Sequence, residues 1–201
     1  MKDITIVKST HFTGAAEYFA GLNEGLKDVA TPYVILLSPG GSLTVGGASF
    51  LKTALLAHKA DLVSCGYRIT YGDEVLYETP ERVGRTLSRE DMLCRLFYLS
   101  NEQGLVFNKL FRSDIIRKNH LLFRTDVGPE AERLFLTQYV KKAKTIRMET
   151  EHYGLWQIDR SFESDRKELK KAFDRMKQAL IFHGDARWLC KEAGEYLLEE
   201  M

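Results

Sequence analysis

The chain has 201 residues, 44% hydrophobic and 28% charged, which suits a packed core and excludes a disordered polymer. Lys and Arg number 29 against 28 Asp and Glu, and the resulting net charge of +1 lacks the basic excess of a nucleic-acid-binding domain. Cys65, Cys94 and Cys190 are far apart and form no Cys-x-x-Cys pair, so neither a zinc ribbon, a thioredoxin-like site nor a disulfide scaffold is expected.

In chain order, Ile4 to Val7 reads as a short buried strand rather than a signal peptide. Gly14 to Val29 has helical spacing, with Ala15, Tyr18, Phe19, Leu22, Leu26 and Val29 on one stripe. Thr31-Pro32 stops that helix, because proline disfavours helical geometry at the residue before it. Tyr33 to Leu37 is an apolar run suited to a strand buried on both faces, and it is far too short to span a membrane. Ser38-Pro39-Gly40-Gly41-Ser42 reads as a turn, and a helix is predicted over Val45 to His58. Asp61 to Thr70 is the next strand, turned by Gly72-Asp73 into a hairpin with Val75 to Tyr77.

Ser88-Arg89-Glu90-Asp91 has the form of a capping box, opening a helix that holds Met92, Leu93, Leu96, Phe97 and Leu99. Val106-Phe107 leads into Asn108 to Phe111, after which Ser113 can cap a helix with Ile115 and Ile116. Pro129 to Lys142 reads as a further helix, and Thr145 to Met148 as the final strand. From Asp159 the sequence turns charged and helical, with stripes at Leu169, Phe173, Met176, Leu180 and then at Trp188, Leu189, Ala193 and Tyr196. Strands alternating with helices imply an α/β layer structure over residues 1–157, with a helical appendage over 158–201. A soluble, cytoplasmic protein without a transmembrane segment is expected.

Taken without a family in mind, several groups could carry chemistry. Gly40-Gly41-Ser42-Leu43-Thr44 sits in the context of a nucleophile elbow, but Thr44 occupies the position of the last glycine. The same glycines could expose backbone N–H groups to a phosphate, although no P-loop lysine follows; the simpler reading is a turn and helix cap. Asp126, Glu130 and Glu132 either complement a helix N-terminus or supply a general base at a strand-end cleft. His11, His58, His120, His152 and His183 show no metal-ligand spacing and read as structural. Tyr67, Tyr71, Tyr77, Tyr153 and Trp156 could stack a sugar or a base, or simply pack in the sheet.

Several segments, in order, resemble the family 2 glycosyltransferases of the A-type fold, especially those that build bacterial capsule and wall polysaccharides. Gly21-Leu22-Asn23-Glu24-Gly25 is similar to the family's Ala-Arg-Asn-x-Gly stretch, with Asn23 and Gly25 matching. Ala60 to Tyr67 looks like its Ala-Asp-hydrophobic-Val strand, and Phe107-Asn108-Lys109-Leu110-Phe111-Arg112 like its Trp-Asn-Lys-Leu-Tyr-Arg segment. Phe123 to Phe135 looks like the loop with the Glu-Asp-x-x-Phe signature, and Glu151-His152-Tyr153 like the closing Tyr-His-Tyr. The resemblance covers roughly residues 4 to 157.

The resemblance implies a truncated nucleotide-diphospho-sugar transferase sheet flanked by helices, whose first strand aligns behind the family's nucleotide-binding front. It also implies a Mg²⁺ or Mn²⁺ ion held by an Asp-x-Asp turn against the donor diphosphate. Ser38-Pro39-Gly40-Gly41 stands at that turn and offers no anionic ligand, so no metal is expected. Glu132 falls on the family's base aspartate, with Glu130 as the alternative if the loop is shifted. Asn23, Gly40, Gly41 and Ser42 are the implied donor-binding or anion-binding residues. Two functions follow as expectations. One is a domain degenerate in catalysis that binds a sugar nucleotide, a polysaccharide or a partner chain, or that dimerises to cover a sheet edge. The other is a metal-independent, inverting transferase.

Overall fold

The computed structural model describes residues 2–9, 15–38, 40–79, 84–96, 104–127 and 131–158. Strand β1 (Ile4–Lys8) is followed by helix α1 (Ala15–Lys27) and strand β2 (Tyr33–Leu37). A short strand β3 (Gly41–Leu43), helix α2 (Gly47–Ala57), and the hairpin β4 (Leu62–Tyr71) and β5 (Glu74–Glu78) come next. Then follow β6 (Arg85–Leu87), α3 (Arg89–Cys94), β7 (Lys109–Arg112), α4 (Ser113–Lys118), α5 (Ala131–Lys142) and the long β8 (Ile146–Ile158).

Among the described residues one mixed sheet of eight strands runs in the order β1-β2-β7-β4-β8-β3, with β5 joined to β4 and β6 to β8. Strands β1 and β2 pair in parallel, as do β4 and β8, while β7 lies antiparallel between β2 and β4. The 13 residues of β8 pair with β6 near their start and β3 near their end. Register shifts around Gly66 bend β4 against β8, and the sheet curls there.

The apolar run of β2 is buried on both faces because its side chains alternate between two cores. Val34 and Leu36 join Tyr18, Phe19, Leu22 and Leu26 of α1 and Phe135 of α5 on one side. Ile35 points the other way, into Leu51, Ala54 and Leu55 of α2. Leu62 and Val63 of β4, and Phe111 and Leu110 of β7, divide in the same manner. Each fully buried side chain of this size contributes about 1.5–3 kcal/mol, so the faces of the sheet rather than helix propensity hold α1 and α5 in place.

Three expectations change. The segment after β2 is not wholly a turn, since Gly41–Leu43 pairs with Gly154 to Trp156 as β3. The final strand does not end at Met148 but continues to Ile158, carried along the edge of β4. Ser113 does not cap α4; Arg112 is the cap residue, and the Ser113 hydroxyl is buried with no hydrogen-bond partner. Ser88 does cap α3, its side chain accepting the Asp91 N–H at 3.1 Å. The helical appendage over 158–201 lies outside the described residues, apart from Ile158, which ends β8. Among the described residues no helix is long and apolar enough to cross a membrane.

Candidate functional site

The site lies at the end of the sheet where β2 finishes and β7 begins. Ser38 directly follows β2 and is 4% exposed. Glu132 stands in the first turn of α5, where the helix dipole favours a negative charge. The two meet: Ser38 Oγ donates to Glu132 Oε1 at 2.8 Å. The other carboxylate oxygen, Oε2, accepts the backbone N–H of Val106 at 2.9 Å. Glu132 is only 7% exposed, so one buried side chain joins a strand end, the loop before β7 and a helix.

Burial pushes the Glu132 carboxyl above its usual range, against the opposing pull of the Ser38 and Val106 hydrogen bonds and the Lys109 charge. Lys109 is fully buried in β7 and donates to the Leu105 carbonyl at 2.5 Å and to Asn108 Oδ1 at 2.9 Å. Asn108 in turn donates to the Cys65 carbonyl at 2.6 Å. On the other side of Glu132, the Tyr18 hydroxyl donates to the Leu37 carbonyl. Burial first, and then the Glu132 charge, raise the Tyr18 phenol, while a hydrogen bond with Ser38 opposes them. Tyr18, Ser38, Glu132, Lys109 and Asn108 thus form a polar seam through the interior. Such a seam is stable only because each charge keeps a partner.

The residues singled out in the sequence do not gather into one cleft. Asn23 is half-buried on α1, and its carboxamide is engaged with the backbone of Phe123. Asn23 Nδ2 donates to the Phe123 carbonyl at 2.9 Å and Asn23 Oδ1 accepts the Phe123 N–H at 2.8 Å. Gly40 has a φ of 74°, open to glycine and strained for other residues, and its carbonyl accepts the Gln157 N–H at 3.0 Å. The Gly41 N–H donates to the Ser38 carbonyl at 2.8 Å, so it does not point outward as a phosphate donor. Ser42 lies within β3, its hydroxyl 3.3 Å from the Leu155 carbonyl, which removes the nucleophile-elbow reading. Asp126 is exposed and paired with Arg124, apart from the buried seam. Glu130 lies outside the described residues.

Several of the remaining candidates pack as structure, while His11 and His183 lie outside the described residues. His58 caps the C-terminus of α2 with Nε2 3.6 Å from Glu149, and His152 Nε2 lies 2.7 Å from the Thr79 carbonyl. Tyr67 and Tyr77 are buried with Phe107 in a third core, and Tyr153 stacks on Phe50 at 4.7 Å. Among the described residues no three His, Cys, Asp or Glu side chains come together to hold a metal. At the turn where the resemblance places a divalent cation, the Ser38 hydroxyl is already turned toward Glu132 and the glycines carry no side chain. The residues present do not fit the ion.

Sequence reasoning missed Ser38, Tyr18 and Lys109 as members of the site. Lys109 carried a signal, a charge set directly before the apolar Leu110-Phe111 of a strand. Tyr18 and Ser38 carried none, because their roles depend on a side chain 94 residues from Ser38.

The fold has counterparts among solved structures, including three that match at low identity. S. aureus TarS 1-349 in complex with UDP superposes with a TM-score of 0.54 at 13% identity, covering 80% of this chain and 48% of that one. S. aureus TarS 1-349 without a named ligand gives a TM-score of 0.54 at 12% identity, covering 84% and 52%. The same fragment in complex with UDP-GlcNAc gives 0.53 at 13%, covering 69% and 38%. This chain therefore spans about half, or less, of the length of the structures it matches. The likeness shows a shared fold, the glycosyltransferase-like sheet with flanking helices. Neither a family model nor a curated protein matches the sequence.

Proposed function

We propose that this chain is a glycosyltransferase-like domain that does not itself transfer sugar and serves as a binding or assembly module in polysaccharide synthesis. The observation that carries the reading is the closure of Glu132. A general base must reach the proton it removes, within about 3 Å or through one water. Here both carboxylate oxygens are held by Ser38 and Val106 inside the protein. The turn beside it lacks acids, and the Gly41 N–H is used internally. Two supports for charge on a donor diphosphate, a cation and a row of backbone donors, are thus weak.

A sugar nucleotide remains the first ligand to test, since two of the TarS structures are complexes with UDP and with UDP-GlcNAc. The assembly part of the proposal rests on β1. Its outer edge has no strand partner among the described residues, and Ile6 there is 48% exposed. A second copy of the chain, or a partner strand, is the natural cover for that edge.

One observation favours the alternative, an active metal-independent inverting transferase. The raised pKa of Glu132 is the direction a general base requires. The deciding experiment incubates the protein with UDP-GlcNAc and a panel of nucleotide sugars, with and without Mn²⁺, and follows release of UDP. No turnover above buffer is expected. Turnover abolished by Glu132→Gln would establish the alternative. Sedimentation across a wide concentration range tests the assembly role, and a monomer throughout removes the homodimer.

A further inference from the structure

A second candidate site lies at the opposite end of the sheet. Strand β2 separates Ser38 from Tyr33 by about 16 Å of extended chain. Where β2 begins and β7 ends there is a cavity of about 510 Å³, a size typical of small-molecule sites. Its charged lining is Lys59, Arg112, Arg117 and Asp114, three cations against one carboxylate. Leu55, Leu56 and the ring of Tyr33 form an apolar wall.

The charges within this cavity do not all cancel. Arg112 grips Asp114 with Nε and Nη2 at 3.0 and 3.1 Å, and Nη1 lies 3.4 Å from Asp61. Asp114 also meets Lys118 at 3.3 Å. Arg117 donates through Nη1 to the Val29 carbonyl at 2.9 Å, which fixes its position without neutralising it. Among the described residues no carboxylate pairs with Lys59 or Arg117. Two unneutralised cations in one concave surface concentrate anions.

Lys59 adds an independent observation. It follows α2 in the left-handed region, with a φ of 50°. Its own N–H bonds to the Leu56 carbonyl, and the Ala60 N–H reaches back to the Leu55 carbonyl at 2.9 Å. That is the position after a helix where glycine is normally found, because a side chain is strained there. Leu56, on the wall beside it, is 55% exposed.

We infer that this cavity binds a small organic phosphate, its dianion between Lys59 and Arg117 and its organic part against Leu55, Leu56 and Tyr33. Phosphate rather than carboxylate is favoured because two cations are left over and guanidinium and ammonium groups both suit phosphate oxygens. The site is distinct from the Ser38–Glu132 end and does not depend on how that end functions.

Phenyl phosphate is the probe, followed by amide NMR on the full chain. Saturable shifts are expected at Lys59, Tyr33 and Arg117, with inorganic phosphate and phenol each binding about tenfold more weakly. Lys59→Gly relieves the backbone strain, so it keeps the fold, and it weakens phenyl phosphate binding about tenfold. Leu56→Glu changes an exposed residue and is expected to weaken binding at least as much, by like-charge repulsion. Shifts confined to other residues, or unchanged affinity in both variants, overturn the inference. Vesicles carrying phosphatidic acid separate a soluble ester from a lipid headgroup. Capture by vesicles without saturable phenyl phosphate binding also overturns it.

Discussion

Ser38 and Glu132 are 94 residues apart in sequence and joined by a 2.8 Å hydrogen bond in the interior. The turn that the family resemblance assigns to a metal and the carboxylate it assigns to a base therefore satisfy each other. The bond makes the pair measurable as a structural unit, independent of any catalytic assay.

The first prediction concerns pH. The Glu132 carboxyl is raised above its ordinary value of 4.5, so the folded state holds this proton more tightly than the unfolded state. A raised acid contributes stability that is full below 4.5 and is lost as pH climbs through the folded value. Glu132→Gln removes that slope. Its oxygen can still accept from Val106, and its amide can donate to the Ser38 hydroxyl, so at low pH stability changes by only about 1 kcal/mol. Glu132→Ala leaves the Ser38 hydroxyl and the Val106 N–H without their buried acceptor and costs about 1–3 kcal/mol. Urea unfolding of the three proteins from pH 4 upward is the measurement. Parallel curves for wild type and the Gln variant would show that Glu132 does not titrate as described.

Asn23 is the second test. Its carboxamide fastens α1 to the backbone of Phe123 through one donated and one accepted bond. Asn23→Ala is expected to cost about 1–3 kcal/mol by leaving both Phe123 groups unpaired. Asn23→Asp keeps the acceptor and loses the donor, so it falls between the two. Chemical denaturation reads both, and an unaffected Ala variant would argue that water replaces the side chain.

Gly25 opposes two rules whose magnitudes decide the outcome. Alanine in a helix interior gains about 1 kcal/mol over glycine. A Cβ at Gly25, however, would lie 2.5 Å from Val7 Cγ1. Overpacking of that kind costs about 1–3 kcal/mol, so Gly25→Ala should destabilise despite its better propensity. Val7→Ala in the same chain should recover part of the loss, and a double-mutant cycle with no coupling would contradict the contact.

Cysteine chemistry supplies the fourth test. Cys65 and Cys94 are both buried, and burial pushes the Cys65 thiol up to about 11. Neither should react with a thiol reagent at neutral pH until the protein opens. In a Cys190→Ser background, labelling should follow the global unfolding rate; rapid labelling in native buffer would show that the core around β4 opens locally.

What could be read from the sequence was whatever local periodicity encodes. The stripe Tyr18, Phe19, Leu22 and Leu26 defines α1 by itself, and the run Tyr33 to Leu37 defines β2. Strand β3 could not be read that way. Gly41-Ser42-Leu43 has turn composition and becomes a strand only because Gly154 to Trp156 lies alongside. β6, three residues long, is likewise defined by Ile146 to Met148. Glu132 was legible as a carboxylate at a helix start, but its closure was not, since that depends on Ser38 and the Val106 N–H from distant segments.

Those distant pairings also set an order in time. β1 and β2 meet across a short stretch of chain, whereas Leu62 on β4 finds Ile146 on β8 at a separation of 84 positions. Closing so large a loop precedes any gain from the pairing, which slows folding. A ribosome making this chain therefore emits α1, β2 and α2 well before β8 is available to cover the flank of β4. Until then β4 is an open apolar ribbon, vulnerable to capture by another nascent chain, and its protection depends on the late arrival of β8.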